Sequence, residues 1–189
     1  YVGLTTLEGA MGTIGVINGA LTIRARNRDE IIATFVRGGN KDHKNPGAYV
    51  AEPKRGFKEN IISFDANSLY PMVMISLNTS HETKIGKIVN NDGKEVTIQH
   101  TSGREFKLSK KDFVKFLKDE ECALAKSGFL FSQKKQGIIP EFLEYYYNKR
   151  VIIKKELFKC LQAEKKDPGN INLKYEVERL NTSQMVIKI

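Results

Sequence analysis

The sequence predicts an α+β fold, and three observations predict it. A short β-prone run, Ile61-Ile62-Ser63-Phe64, stops at Asp65 and gives way to a helix start. Two alternating segments, Glu95 to Gln99 and Glu105 to Leu108, flank Ser102-Gly103. Two long segments near the end carry apolar residues at helical spacing and are joined by Lys166-Asp167-Pro168-Gly169. There is no internal repeat and no low-complexity tract, so the chain divides into four distinct stretches.

Residues 1–37 show helical patterning through Ile14, Ile17 and Leu21, and again through Ile31, Ile32 and Phe35. Gly9, Gly12, Gly15 and Gly19 make the first part irregular, and Asn27-Arg28-Asp29 suits a cap before a second helix. Residues 38–60, rich in Gly, Lys and Pro, read as a loop broken by an extended piece from Ala48 to Ala51. Residues 61–132 mix strands with a helix. After the run ending at Asp65, Ser68 is placed to cap a helix through about Ser76. The hairpin around Ser102-Gly103 follows, then Ser109 opens an amphipathic helix through Phe113, Phe116, Leu117 and Cys122, and Phe129-Leu130-Phe131 forms another strand. In the last stretch Pro140 suits a first helical turn, with apolar residues at Leu143, Tyr146, Ile153, Leu157 and Cys160. The next helix repeats Leu173, Val177, Leu180, Gln184 and Ile187, and the pair predicts an antiparallel helical hairpin.

Of 189 residues 40% are hydrophobic, enough for one domain or one and a half, which excludes a disordered chain. No apolar run approaches the roughly 18 to 20 residues that cross a bilayer, so the chain reads as soluble, without a membrane partner. Cys122 and Cys160 lie far apart with no C-x-x-C or histidine spacing, which argues against a disulfide framework and a zinc site and fits a reducing, cytoplasmic setting. With no signal segment and Tyr1 in place of Met, the expectation is a chain that begins inside a longer protein and ends as abruptly at Ile189. Lys and Arg number 31 against 22 Asp and Glu, a formal charge of +9. That excess suits a polyanionic partner, although it serves solubility almost as well.

Asp65 stands where a strand ends, a place with no packing reason for a charge. Its carboxylate and the Ala66 carbonyl are hard oxygen donors of the sort magnesium takes beside a phosphate. D-x-x-S alone is more often a turn or a cap. Arg150 occupies a stripe position between Tyr146 and Ile153 where the helical period asks for an apolar residue, and Lys154 follows one turn on. Taken singly these cations are most often a solvated face. In an antiparallel hairpin Lys188 is brought towards Arg150, and three cations from two helices suit a polyphosphate. His43, His81 and His100 have no catalytic or ligand spacing and read as surface residues, and Tyr145-Tyr146-Tyr147 reads as core and rim. Gly38-Gly39 lacks the spacing of any phosphate fingerprint.

These residues match a family. Ile62-Ser63-Phe64-Asp65-Ala66-Asn67-Ser68-Leu69-Tyr70-Pro71 resembles the first polymerase motif, D-x-x-S-L-Y-P, of family B DNA polymerases. Gly137-Ile138-Ile139-Pro140 with Arg150 and Lys154 resembles the start of the fingers, and Gln184 to Ile189 resembles the opening of the second motif, whose N-S-x-Y-G this chain does not reach. Pro46-Gly47-Ala48-Tyr49-Val50 resembles the linker motif between exonuclease and polymerase modules, with Asn45 where the family usually shows Tyr. Asn78-Thr79-Ser80-His81-Glu82-Thr83 is similar to the T-even bacteriophage branch. The resemblance covers roughly residues 35–189.

The resemblance implies three parts: a helical connector from an absent exonuclease region at 1–37, the N-terminal part of the palm at 38–132, with a mixed or antiparallel sheet, and a fingers hairpin at 133–189. It implies that Asp65 holds two catalytic magnesium ions with Ala66 on one of them, and that Ser68, Leu69 and Tyr70 receive the triphosphate at a helix start. Tyr70 would lie under the deoxyribose. Arg150, Lys154 and Lys188 would clamp the phosphates, with Lys188 also acting on the leaving pyrophosphate. Gly47, Ala48 and Tyr49 would meet DNA. Implied partners are primer-template DNA, a deoxynucleoside triphosphate and the remaining polymerase parts (exonuclease, rest of the palm, thumb), with a sliding clamp as a further candidate, in a bacterial cytoplasm if phage-encoded. The second metal-binding carboxylate of the family is absent here, so the piece alone is expected to be inactive. Met72 replaces a common Ser. A rival reading is a non-catalytic basic nucleic-acid-binding module in which Asp65 is only a cap, and a third is a degenerate remnant, supported by Met72 and Asn45.

Overall fold

The computed structural model describes residues 12–31 and 49–187, and the structural statements below concern those residues. The α+β class holds, with five helices and one five-stranded sheet among them.

The sheet comprises β1 (Lys84–Asn91), β2 (Glu95–His100), β3 (Glu105–Ser109), β4 (Cys122–Leu124) and β5 (Phe129–Ser132). Its order is β3-β2-β1-β5-β4, and every adjacent pair is antiparallel. The alternating segments pair as a hairpin, Val96 opposite Leu108 and Gln99 opposite Glu105. Alternation sends Val96 and Ile98 to one face, which helix α3 (Lys110–Asp119) covers with Phe113, Phe116 and Leu117. Ser109 caps α3 as its sequence position predicts, its Oγ accepting the Asp112 N–H at 3.2 Å and donating to Asp112 Oδ2 at 2.7 Å. Val96, Ile98, Phe113 and Leu130 are buried together, and the Phe106 and Phe116 rings meet edge to face at 6.1 Å.

A second core forms where four helices meet. Helix α1 (Thr13–Asn27) and helix α2 (Leu69–Ser76) pack on the first turns of α4 (Ile138–Lys166), which runs antiparallel to α5 (Ile171–Val186). Ala20, Phe142, Leu143 and Tyr146 are buried there, with Leu21, Met74, Ile75, Ile139 and Ile187 around them. The hairpin turns at Lys166 to Gly169 as predicted, and Asn170 Oδ1 caps α5 by accepting the Asn172 and Leu173 N–H groups at 3.1 and 3.3 Å.

Several expectations are corrected. Ile61 to Phe64 is not a strand: residues 49–66 hold neither helix nor strand, and Ile61, Ile62 and Phe64 stand 74%, 76% and 91% exposed. A strand is defined by bonds to a neighbour, and no described strand takes this segment as one. The described part of the piece from Ala48 to Ala51 is likewise unpaired, so the strands begin at Lys84 rather than near residue 48. Ser68 precedes a helix that ends at Ser76, as expected, yet does not cap it with its side chain. Its backbone is left-handed (φ 52°), not the extended conformation from which a cap oxygen reaches the second or third amide. Cys122 lies beyond α3, in β4, after Glu121 at φ 49°. The second helix expected around Ile32 and Phe35 lies outside the described residues.

The sequence pattern also passed over β1, the central strand. Ile85 and Ile88 both pack on the sheet core although an odd spacing should place them on opposite faces. A register irregularity between Lys84 and Gly86, around Ile85, resolves this, and with a second one between Ile88 and Asn90 it hides the period of two. Gly86 is required there, since a Cβ would lie 2.5 Å from Gln99 O.

Candidate functional site

Helix α2 packs half-buried Met74 and Ile75 on the core and leaves its start outward, with Leu69 53% and Tyr70 75% exposed. The Met72 N–H is bonded to Ser68 O at 3.0 Å, and the amides of Leu69 and Tyr70 precede the helical ladder. Asp65 and Ala66 lie just before this turn, both exposed. Among the described residues Asp65 has no ion-pair partner, so its oxygens are not already taken by a cation. One carboxylate and one carbonyl suit magnesium in kind, but no group of three or more His, Cys, Asp or Glu that could hold a metal occurs among the described residues. Any further ligands must come from elsewhere.

Arg150 follows Tyr146 by one turn of α4 and sits against α5. Its Nη2 donates to Gln184 Oε1 at 3.4 Å, while Gln184 Nε2 donates to Asn181 Oδ1 at 3.1 Å and so fixes which way the amide points. Arg150 Nε is buried without a hydrogen-bond partner among the described residues. Lys154, one turn on, is exposed in a shallow groove with Val151, Lys155, Phe158 and Lys159. The structure thus brings the base of the Arg150 helix and the Leu69–Tyr70 helix into one core. Lys188, Gly47 and Ala48 lie outside the described residues, and Tyr49 is 91% exposed in an irregular segment. His81 is exposed, His100 is half-buried at the end of β2 with Nδ1 2.8 Å from Ser102 Oγ, and His43 lies outside the described residues. Of the tyrosine cluster, Tyr146 is buried and Tyr145 is 50% exposed at the rim.

A cluster that sequence reasoning missed surrounds the first turn of α4. Gly137 precedes that helix with no Ser, Thr, Asp or Asn to cap it, and its first amides are met from a turn far away in sequence. The Gly137 N–H donates to Asn78 Oδ1 at 2.8 Å, the Ile138 N–H to Glu82 Oε1 at 2.5 Å and the Ile139 N–H to Ser80 Oγ at 3.4 Å. Asn78 Nδ2 donates in turn to Ser132 O and Lys135 O at 2.6 and 2.8 Å, and Ser80 Oγ donates to Glu82 Oε2 at 2.7 Å. Burial pushes the Glu82 carboxyl up, but the Ile138 amide, the Ser80 hydroxyl and the Arg28 charge outweigh it and hold it below its ordinary value. The missing cap before Ile138-Ile139-Pro140 was the available signal.

Helix α1 is fastened to the same region. Arg24 lies over the Phe142, Tyr145 and Tyr146 rings at 5.0, 5.4 and 5.8 Å, Arg28 pairs with Glu141 and donates to Gln136 O at 2.9 Å, and Lys135 meets Glu30 at 3.4 Å. No helix among the described residues is long and apolar enough to cross a membrane.

Comparison with known proteins places this arrangement. The family model for DNA polymerase family B matches residues 11–188. The chain is 29% identical over 150 residues to the DNA-directed DNA polymerase of Enterobacteria phage T4, covering 76% of this chain and 15% of that protein. It is 31% identical over 143 residues to the DNA polymerase of Pyrococcus horikoshii, covering 76% of this chain and 8% of that protein. It is 39% identical over 72 residues to the DNA polymerase of Thermococcus gorgonarius, covering 38% and 8%. The chain therefore spans no more than about 15% of the length of these curated relatives. No solved structure matches it. With the D-x-x-S-L-Y-P segment, the cationic hairpin and a match over nearly the whole length agreeing, the chain belongs to DNA polymerase family B.

Proposed function

We propose that this chain supplies the nucleotide-receiving part of a DNA-directed DNA polymerase: part of the palm in residues 38–132 and the fingers in 133–189, with residues 1–37 as a connector. The observation that carries the reading is the shared core of α2 and α4, which holds the helix start at Ser68, Leu69 and Tyr70 to the base of the helix bearing Arg150 and Lys154.

In this reading the partners are primer-template DNA, a deoxynucleoside triphosphate and the rest of the polymerase. A primer 3′-hydroxyl oxygen attacks the α-phosphorus as its proton passes to solvent, and the bond to the pyrophosphate oxygen breaks. The Leu69 and Tyr70 amides at the start of α2 bind phosphate oxygens, and the exposed Tyr70 ring lies under the sugar. Arg150 presents a planar fork to the phosphates, Lys154 and Lys188 add point charges, and Lys188 gives a proton to the leaving pyrophosphate. Asp65 and the Ala66 carbonyl would hold magnesium, which when bound neutralises charge on the reacting phosphates. The second carboxylate lies outside this chain, so the chain alone does not extend primers. Gly47, Ala48 and Tyr49 contact the DNA backbone.

The test is primer extension with magnesium and deoxynucleotides, using the chain alone, the chain mixed with the remaining polymerase, and a continuous fusion of the two. Extension by the mixture or the fusion, abolished by Asp65→Ala, is the expected result. The rival basic module is favoured only by the exposed stretch that holds Tyr49, Lys54, Arg55 and Lys58. It wins if Asp65→Ala leaves magnesium-dependent triphosphate binding unchanged while salt abolishes DNA binding.

A further inference from the structure

Helix α4 is a lever held at one end. It has 29 residues, about 43 Å at 1.5 Å per residue, and its buried residues, Ile138, Pro140, Phe142, Leu143 and Tyr146, all lie in the first nine. Beyond Tyr146 the helix has α5 as its packing partner. Arg150 and Lys154 therefore take their positions from whatever fixes the first turn. A tilt of about 10° there displaces Lys154, about 24 Å along the axis from Ile138, by about 4 Å. A shift of about 1 Å in a reacting group is enough to cost about 100-fold in rate.

Besides the core that α4 shares with α1 and α2, its first turn is held by the segment from Asn78 to Thr83. Three successive amides, those of Gly137, Ile138 and Ile139, are received by three side chains of one turn, Asn78, Glu82 and Ser80. That turn is itself closed. Thr83 Oγ1 donates to Asn78 O at 2.5 Å and accepts the Ser80 N–H at 3.1 Å, and Asn78, Ser80 and Thr83 are buried. Asn78 sits at φ 54°, a left-handed conformation that asparagine tolerates better than most residues. The approach is close enough that a Cβ on Gly137 would lie 2.6 Å from Ser80 Cβ and 3.1 Å from Thr83 Cγ2. Thr83 O also accepts the Ser132 N–H at 2.8 Å, which ties the turn to the sheet. The chain thus connects the β-sheet to the start of the lever through polar contacts that no helix cap in the local sequence supplies.

We propose that the turn from Asn78 to Thr83 is the brace that sets the angle of the α4–α5 hairpin against the sheet, with Glu82 as its positioning residue. Its consequence for phosphate binding at Arg150 and Lys154 rests on the polymerase reading, but the brace itself does not. The experiment therefore measures the angle, not the chemistry. In a Cys122→Ala, Cys160→Ala background, nitroxides are placed at Lys107→Cys on β3 and Lys165→Cys near the tip of α4, both exposed positions. The distance distribution between them is read by pulsed electron resonance, and amide exchange is followed at residues 137–139.

The parent chain gives one narrow distribution. Glu82→Ala broadens it at least about twofold and speeds exchange at Ile138 and Ile139 while the β2–β3 amides keep their protection. Glu82→Gln, which keeps an acceptor for the Ile138 N–H, restores the narrow distribution. Ser80→Ala is a milder variant that removes the Ile139 acceptor and the hydroxyl holding Glu82, and it broadens the distribution whether or not Glu82→Ala folds. An unchanged distribution in folded Glu82→Ala, or in Ser80→Ala, overturns the proposal, as does a loss of protection spread evenly over the sheet. None of these outcomes depends on primer extension.

Discussion

Arg150 reaches across the helical hairpin to Gln184, Nη2 to Oε1 at 3.4 Å, while its own Nε is buried and unpaired among the described residues. A long bond on one nitrogen and none on its neighbour leave the guanidinium with donors unspent, and a buried unmet donor is costly. A side chain turned outward onto a phosphate that accepts from both nitrogens would relieve this. In the reconstituted polymerase, Arg150→Ala is expected to raise KM for the deoxynucleotide by about 10- to 100-fold, the range of one charged hydrogen bond. Gln184→Glu should weaken nucleotide binding too, because a carboxylate would hold the arginine in place, and added salt should partly reverse that effect alone. Steady-state primer extension with each variant checks both.

Glu82 predicts acid sensitivity. Its folded-state carboxyl lies below the ordinary value, so the stability it contributes is complete above its unfolded-state pKa of about 4.3 and disappears as pH falls through the lower folded-state value. Thermal melts of the parent and of Glu82→Gln should differ most near neutral pH and converge in strong acid. Curves that stay equally far apart from pH 7 to pH 3 would contradict the assignment.

Phe113 is 7% exposed and is the buried anchor of α3 on the sheet. Phe113→Ala should cost about 3–5 kcal/mol, the usual price of emptying a phenylalanine site that cannot fully collapse. Urea unfolding with an unchanged slope and a lower midpoint is the expected readout.

Cys122 should be a slow thiol. Burial first, and the Glu120 charge second, push its pKa up, with Lys134 pulling weakly the other way. The thiolate is the reactive form, so alkylation at pH 8 should be slower than for a free thiol. It should rise steeply as pH increases, and Glu120→Gln should quicken it. Mass spectrometry of the alkylated peptide follows the rate.

Where local chemistry decided the outcome, the sequence was a good guide. Ser109 capped its helix, the turn at Ser102-Gly103 closed its hairpin, and Lys166 to Gly169 turned one long helix into another, because each rests on neighbours a few residues away. It was a poor guide where distant parts decided. Ile61 to Phe64 has strand composition but no strand beside it, and β1 owes its place to pairing on both sides and to irregularities that no periodicity registers. The site followed the same division. The position of Arg150 against α5 was legible because it interrupts an apolar stripe, whereas the contacts of Asn78, Ser80 and Glu82 depend on the start of α4, more than fifty residues away.

Helix α1 precedes the irregular, exposed stretch of residues 49–66 in the chain, yet it is held to α4 by side-chain contacts rather than by that stretch. A protease that cuts anywhere in the stretch would therefore leave two pieces that travel together. Such a preparation would show two bands on a denaturing gel and one peak on a sizing column, and purity judged by the column alone would conceal the nick.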